Sequence, residues 1–581
     1  MDFQSDLNAV QETQPPQIQA RSSLATDAPE VASRPALAAD KAVWQRLVER
    51  QAATRRAYAA QPYMHTLFEE QVAQRPDAIA LVFEEQALTY AALNHQAACL
   101  AVRLQEAGVG PEVLVALYLE RSLEMIIALL AVLKAGGAYV PLDPAMPLKR
   151  LVFMLQDCGA PVVLTQPWLR DRLPAEYSGQ IHVLEQQPGT AGMTPTPAPW
   201  EADALLAAYL LYTSGSTGQP KGVINTHQGL YNRLFWMQDR YHLTPGDRVL
   251  QKTPYSFDVS VWEVFWPLQT GATLVLARPH GQRDSAYLAS LLREQGITVT
   301  HFVPSMLDIF LGEPDLSAGE TLRYIICSGE TLSVELQQRC LAAFDAELHN
   351  LYGPTEAAID VTAWACERES RSKTVPIGHP IYNTQIILLT QQGEPVPAGT
   401  PGELFIGGMG LARGYHGRPD LTAERFRPHP WSLEPGARLY QTGDLARELP
   451  DGSIEFLGRL DHQVKLRGQR IELGEIEFAL EQHPDIRSCL VQVQSVAAND
   501  QRLTAYVIPQ AERKRSPKEL RAFLRTSLPD YMIPSLFVYL ETWPLLSNGK
   551  LIGGPYPLHL ISCPDPLYKT TLTEEAFCGA N

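Results

Sequence analysis

The stretch LYTSGSTGQPKGV, Leu211 to Val223, packs three glycines, four Ser or Thr residues and one lysine into thirteen positions. It fails the G-x-x-x-x-G-K-[ST] phosphate-loop pattern, because Lys221 is followed by Gly222. Its physics still suits an anion. Small residues let backbone N–H groups approach closely, the hydroxyls of Thr213, Ser214, Ser216 and Thr217 can donate, and Lys221 adds charge. The preceding AAYLLYT reads as a strand that would present the loop at a sheet's carboxyl edge, where phosphate ligands bind. On this stretch alone a phosphate loop and a mobile linker both remain open.

Working outward, strands alternate with helices from Tyr63 to Leu457: AIALVF, then LNHQAACLAVRLQEAG, then VLVALYL, then SLEMIIALLAVLKAGG. That alternation predicts mostly parallel sheets wrapped by helices. Residues 394–457 change to short strands between turns, a β-rich subdomain. After GRLD a second small α/β pattern begins, with RIELGEIEFALEQHP and PKELRAFLRTSLP as helices and SCLVQVQSV and RLTAYVIP as strands. The expected division is 1–60 as an N-terminal extension or linker, 61–460 as a large core, 461–556 as a small domain and 557–581 as an atypical tail.

A length of 581 residues allows three or four domains, and 45% apolar with 19% charged residues suits a large core. The net charge of −16 has the wrong sign for binding nucleic acid or an anionic membrane through the overall field. The eight cysteines show no C-x-x-C pair or metal-ligand spacing, which predicts reduced thiols. The start, MDFQSDLNAV, shows no secretory signal, and the longest apolar run, Met125 to Leu133, is too short to span a bilayer. A cytoplasmic location is expected.

The full string Y-T-S-G-S-T-G-x-P-K-G resembles the signature loop of adenylate-forming enzymes, which include acyl-CoA synthetases, luciferases and nonribosomal peptide synthetase adenylation domains. Further motifs follow in that family's order: FDVSVWE (257–263), NLYGPTE (350–356), GELFIGGMGLARGY (402–415), YQTGD (440–444), GRLDHQVKLRGQRIELGEIE (458–477) and SNGK (547–550), with LKAGGAYVPLDP (133–144) ahead of them. YVPLDP with KLRGQRIELGEIE is similar to the amino-acid-activating branch. The resemblance covers roughly Tyr63 to Lys550. It implies an α/β fold: a large domain of helix-wrapped sheets with a β-rich subdomain, and a small mobile α+β C-terminal domain.

What the resemblance implies chemically is attack of a carboxylate on the α-phosphate of ATP, then passage of the acyl group to a thiol. Lys550 would hold the substrate carboxylate and the charge developing at phosphorus, a contact whose loss costs roughly 3–4 kcal/mol, or about 10²–10³ in rate. Glu356 would hold Mg²⁺ and Thr355 would support the α-phosphate region. Tyr352 would stack on adenine, Asp444 would accept the ribose hydroxyls, and Arg459 would assist there. The loop from Thr213 to Gly218 with Lys221, together with Gly329, Glu330, Thr331, Asn350, Gly353 and Phe456, would complete the nucleotide site. Asp461 would be the hinge between two poses, one placing Lys550 inside, the other turning residues 463–470 with Lys465 and Arg467 towards the substrate.

The amino-acid pocket carried over by resemblance is Asp258, Val259, Trp262, His301, Ile326, Ser328, Leu351, Ile359, Asp360 and Lys550. Asp258 would pair with the α-ammonium, Trp262 and the aliphatic residues would wall a small space, and His301, Ser328 and Asp360 would place polar groups at its end. A small hydrogen-bonding side chain fits, since unpaired buried polar groups are costly. The set resembles serine-activating pockets apart from Ile326 in place of the more familiar Leu, a volume-conserving change.

After Lys550 the sequence LIGGPYPLHLISCPDPLYKTTLTEEAFCGAN departs from the family pattern. No carrier, condensation or thioesterase motif is present. A peptidyl carrier protein bearing phosphopantetheine is therefore expected in trans or downstream, with an MbtH-like accessory protein as a further possible partner. The competing expectations are an acyl-CoA synthetase, a D-alanine–carrier ligase, or a catalytically impaired scaffold.

Overall fold

A computed structural model describes residues 49–50, 52–58, 63–185, 194–201, 203–215, 218–369, 373–432, 434–461, 463–497, 500–510 and 515–543. Ser216, Thr217 and Lys550 lie outside these residues, as do the SNGK turn and the 557–581 tail.

The chain adopts the expected α/β architecture. A nine-stranded sheet runs Gln86–Thr89, Ile79–Phe83, Thr273–Leu276, Arg248–Gln251, Val299–Phe302, Tyr324–Cys327, Glu347–Tyr352, Thr362–Ala365 and His379–Pro380. Its interior pairings are parallel, and antiparallel strands close both edges. A seven-stranded sheet contains Ala207–Thr213, parallel to Ala138–Pro141 and antiparallel to Lys221–Thr226. The strand ahead of the loop therefore forms as its sequence predicts.

The Leu123–Lys134 helix starts where the Ser122 hydroxyl accepts from the Met125 amide, and all twelve of its residues are buried. A helix apolar on every side must be enclosed. One cluster joins Ile126, Leu130 and Leu133 to Leu81, Val249 and Leu274 of the larger sheet and Val115, Leu117 and Leu211 of the smaller. The two sheets thus share a core.

The β-rich segment is an antiparallel five-stranded sheet of Thr384–Leu389, Gly402–Gly408, Arg438–Glu448, Phe426–Pro428 and Ile454–Arg459. Next comes a hairpin, Gln463–Leu466 paired with Gln469–Glu472. A three-stranded sheet of Ile486–Ala497, Asp500–Pro509 and Leu536–Tyr539 carries the Leu473–Glu481 and Pro517–Leu524 helices.

One sequence expectation changes. RIELGEIEFALEQHP is not helical throughout: residues up to Glu472 are strand, and the helix begins at Leu473. The cause is the turn before it. Arg467 and Gly468 both have positive φ, 50° and 73°, which gives the two-residue turn that folds a strand back on itself. Among the described residues no helix is long and apolar enough to cross a membrane.

Candidate functional site

The loop leaves its strand at Thr213, whose buried hydroxyl has no partner. Ser214, Gly215 and Gly218 of the loop meet the segment that follows the five-stranded sheet. Ser214 Oγ donates to the Arg470 carbonyl at 2.9 Å. The Gly215 amide donates to Glu475 Oε2 at 3.4 Å, and a Cβ on Gly218 would lie 2.6 Å from the Phe478 ring. A carboxylate thus stands at a backbone N–H of the kind that would receive a phosphate oxygen.

Lys221 opens the returning strand with its ammonium 3.6 Å from Glu356 Oε1. Glu356 is 0% exposed, and both its oxygens are taken. Tyr415 OH donates to Oε1 at 2.8 Å and Arg470 to Oε2 at 2.7 Å. Burial alone would raise its pKa, but Arg470 and Lys221 outweigh that and hold the carboxyl far below its usual range. Burial lowers Lys221 to about 8.

Asp444, in the Arg438–Glu448 strand, accepts from Tyr352 OH and from Arg459 on its two oxygens. Phe456 lies 6.3 Å from the Tyr352 ring, and Lys465 Nζ sits 5.3 Å over that ring. Arg459 also grips Asp461, at 2.7 and 2.6 Å. Tyr352, Asp444, Phe456, Arg459 and Lys465 therefore form one contiguous group.

Other residues assigned to the nucleotide have partners of their own. Glu330 accepts from the Ser305 amide at 3.0 Å and the Gly468 amide at 2.7 Å. Asn350 donates to the Pro376 carbonyl at 2.9 Å and keeps a buried oxygen unpartnered, while Thr331 is exposed. Gly329 is left-handed, at φ 86°, and Gly353 packs against Ile359 so tightly that a Cβ would sit 2.4 Å from its carbonyl. Arg467 is exposed at the hairpin turn.

Asp258 occupies the N-cap position of the Val259–Thr270 helix yet makes no side-chain cap. Burial, with repulsion from Asp360 and Glu356, pushes its carboxyl up to about 7 despite a hydrogen bond from Thr355. Trp262, one turn on, has a buried and unpartnered indole N–H. His301 stands edge-on to it at 6.2 Å and meets Ser328 Oγ through Nε2 at 3.0 Å. His301 Nδ1 is buried without a partner, and burial keeps the ring neutral by lowering its pKa well below 6.5. Ile326, Leu351 and Ile359 are buried in the same cluster as Trp262, with half-buried Val259 packed against it. Ala358 and Ile359 both have positive φ, 50° and 80°, a strained turn that is costly for a β-branched residue.

Asp360 differs from expectation. Its Oδ2 is not open to the pocket end but accepts from Arg233 at 2.7 Å. Arg233, Arg470, Tyr415 and Glu475 were not singled out from the sequence. Three of them lie inside motifs that were, and Arg233 sits in NRLFW, where a lone charge in an apolar run signals a buried pair.

Two family patterns match the chain: AMP-binding enzyme over residues 68–416 and AMP-binding enzyme C-terminal domain over residues 475–550. Tyrocidine synthase 3 of Brevibacillus parabrevis is 47% identical over 87% of this chain, which spans 8% of that protein. The phosphinothricin tripeptide synthetase PhsB of Streptomyces viridochromogenes is 50% identical over 83% of this chain, which spans 41% of it. The solved NpsA-ThdA, an artificially fused adenylation–PCP di-domain from Klebsiella oxytoca, superposes with a TM-score of 0.73 at 29% identity, covering 83% of this chain and 94% of that one. The chain thus spans less than half the length of these two synthetases.

Proposed function

The chain belongs to the AMP-binding enzyme family, and from that premise we propose that it activates an amino acid, L-serine, as aminoacyl-AMP with release of pyrophosphate. It would then pass the aminoacyl group to the phosphopantetheine thiol of a peptidyl carrier protein. The observation that carries this reading is Asp258. Its carboxylate stands at a helix start without capping it, beside a pocket whose Trp262 N–H and His301 Nδ1 have no protein partner. Such buried polar atoms are costly unless a ligand pairs with them, and a small hydroxylated side chain does so.

The chemistry follows from the residues. A substrate carboxylate is already ionised at pH 7, so the first step needs placement and charge stabilisation, not a base. Asp258 holds the α-ammonium, Asp444 accepts the ribose hydroxyls beside Tyr352, and Thr213 and Lys221 face the phosphates. Glu356 fits the hard-oxygen ligand that Mg²⁺ requires, once Arg470 withdraws. Bound there, the ion would neutralise phosphate charge. Lys550, in the assigned role, would hold the substrate carboxylate, so Lys550→Ala should remove most activity.

The test is amino-acid-dependent exchange of labelled pyrophosphate into ATP across all twenty amino acids. Serine should lead. Exchange led by another amino acid sinks the serine assignment, and none at all favours a scaffold.

A further inference from the structure

Arg233 lies on the His227–Tyr241 helix, outside every residue that lines the proposed pocket, and is 1% exposed. One of its nitrogens meets Asp360, itself 2% exposed, at 2.7 Å. Its Nε and other terminal nitrogen are buried without an acceptor, and the guanidinium lies 5.0 Å from the Trp236 ring centre. Asp360 follows Ile359 of the pocket and is close enough to Asp258 to repel it. Tyr209, whose buried hydroxyl has no partner, senses both Asp258 and Arg233. The large domain thus gives the amino-acid end of the site two carboxylates and one guanidinium, while Lys465, which also attracts Asp258, comes from the 463–472 hairpin. Glu356 is balanced separately by Lys221 and Arg470, and Lys465 stands over Tyr352 on the nucleotide side.

We propose that Arg233 is a specificity-determining residue: by neutralising Asp360 it leaves the pocket one net negative charge, which the substrate α-ammonium consumes, so the side chain must be uncharged. The assignment rests on the amino-acid activation reading. Charges in a closed, poorly hydrated site must be matched, because little solvent remains to screen a mismatch. An Arg–Asp pair that is merely structural would, when broken, weaken every substrate alike. A pair that sets the charge count shifts preference in a direction fixed by which partner is removed.

The experiment uses the full chain and pyrophosphate exchange with three substrates of one backbone: serine, 2,3-diaminopropionate and aspartate. Thermal unfolding is recorded for each variant. Arg233→Met leaves two unbalanced carboxylates and should move preference towards 2,3-diaminopropionate by about tenfold or more, relative to serine. Asp360→Asn frees the guanidinium and should move preference towards aspartate. The double variant R233M/D360N returns the count to one negative charge and should again prefer serine. If Arg233→Met does not fold, the other two variants still decide, since Asn keeps a partner for Arg233 and the double variant strands no charge. Parallel losses with all three substrates, with no gain, overturn the assignment. Wild-type exchange led by another uncharged amino acid removes serine but supports the charge rule, whereas a charged one overturns it. No wild-type exchange with any amino acid overturns the activation reading and this assignment together.

Discussion

Asp258 sits where an aspartate would ordinarily cap the helix it precedes, yet it makes no such cap; it meets Thr355 and the adjacent Val259 amide instead, and burial still pushes its carboxyl up to about 7. The sign of the consequence is fixed. Below pH 7 the free protein carries Asp258 largely protonated, and a neutral carboxyl holds an α-ammonium poorly. Exchange at limiting amino acid should therefore rise with pH up to about 7 and then level off, and Asp258→Asn should flatten that rise and cost about 10²-fold or more. The raised pKa also means that the folded chain binds more protons than the unfolded chain between about pH 4 and 7, so this group favours folding in acid and disfavours it above pH 7. Asp258→Asn should accordingly melt higher than wild type at pH 8. A lower melting temperature there would say that the hydrogen bonds from Thr355 and Val259 outweigh the cost of burying the charge.

The 463–472 hairpin is the element with most chemistry per residue. Its turn places the Gly468 amide on Glu330, Lys465 over Tyr352, Arg470 on Glu356 and the Arg470 carbonyl on Ser214. Gly468 is required twice over: φ is 73°, and a Cβ would meet Val303 Cγ1 at 2.7 Å. Gly468→Val should therefore disturb this docking. We expect it, like Lys465→Ala, to slow transfer to a carrier thiol several-fold while pyrophosphate exchange persists. Equal loss in both assays would show that the hairpin also serves adenylation.

Across the whole molecule, the small C-terminal part is held against the large one by charges that stand where substrate groups would. The Arg470 guanidinium occupies the carboxylate assigned to a metal, and Glu475, clasped by Arg150 at 2.5 Å, stands at the Gly215 amide. A cation and Arg470 cannot both take Glu356 Oε2. Arg470→Ala should therefore lower the Mg²⁺ concentration needed for half-maximal exchange, by several-fold. An unchanged requirement would show that the guanidinium withdraws at no cost.

The sequence by itself determined the alternation of strands and helices, the strand before LYTSGSTGQPKGV and the order of the motifs, because periodicity and turn chemistry are local properties of the chain. It also pointed to Asp258, His301, Ser328, Glu356 and Asp444, through the resemblance of the strings around them to the motifs of adenylate-forming enzymes. It misread RIE as helix, because the Arg467–Gly468 turn is settled by packing against Val303 and Glu330 rather than by its neighbours in sequence. Only the tertiary structure decided which charges meet. Arg233 finds Asp360 across 127 positions and Arg470 finds Glu356 across 114. Burial makes those pairings compulsory, but nothing along the chain says which partner each charge will find.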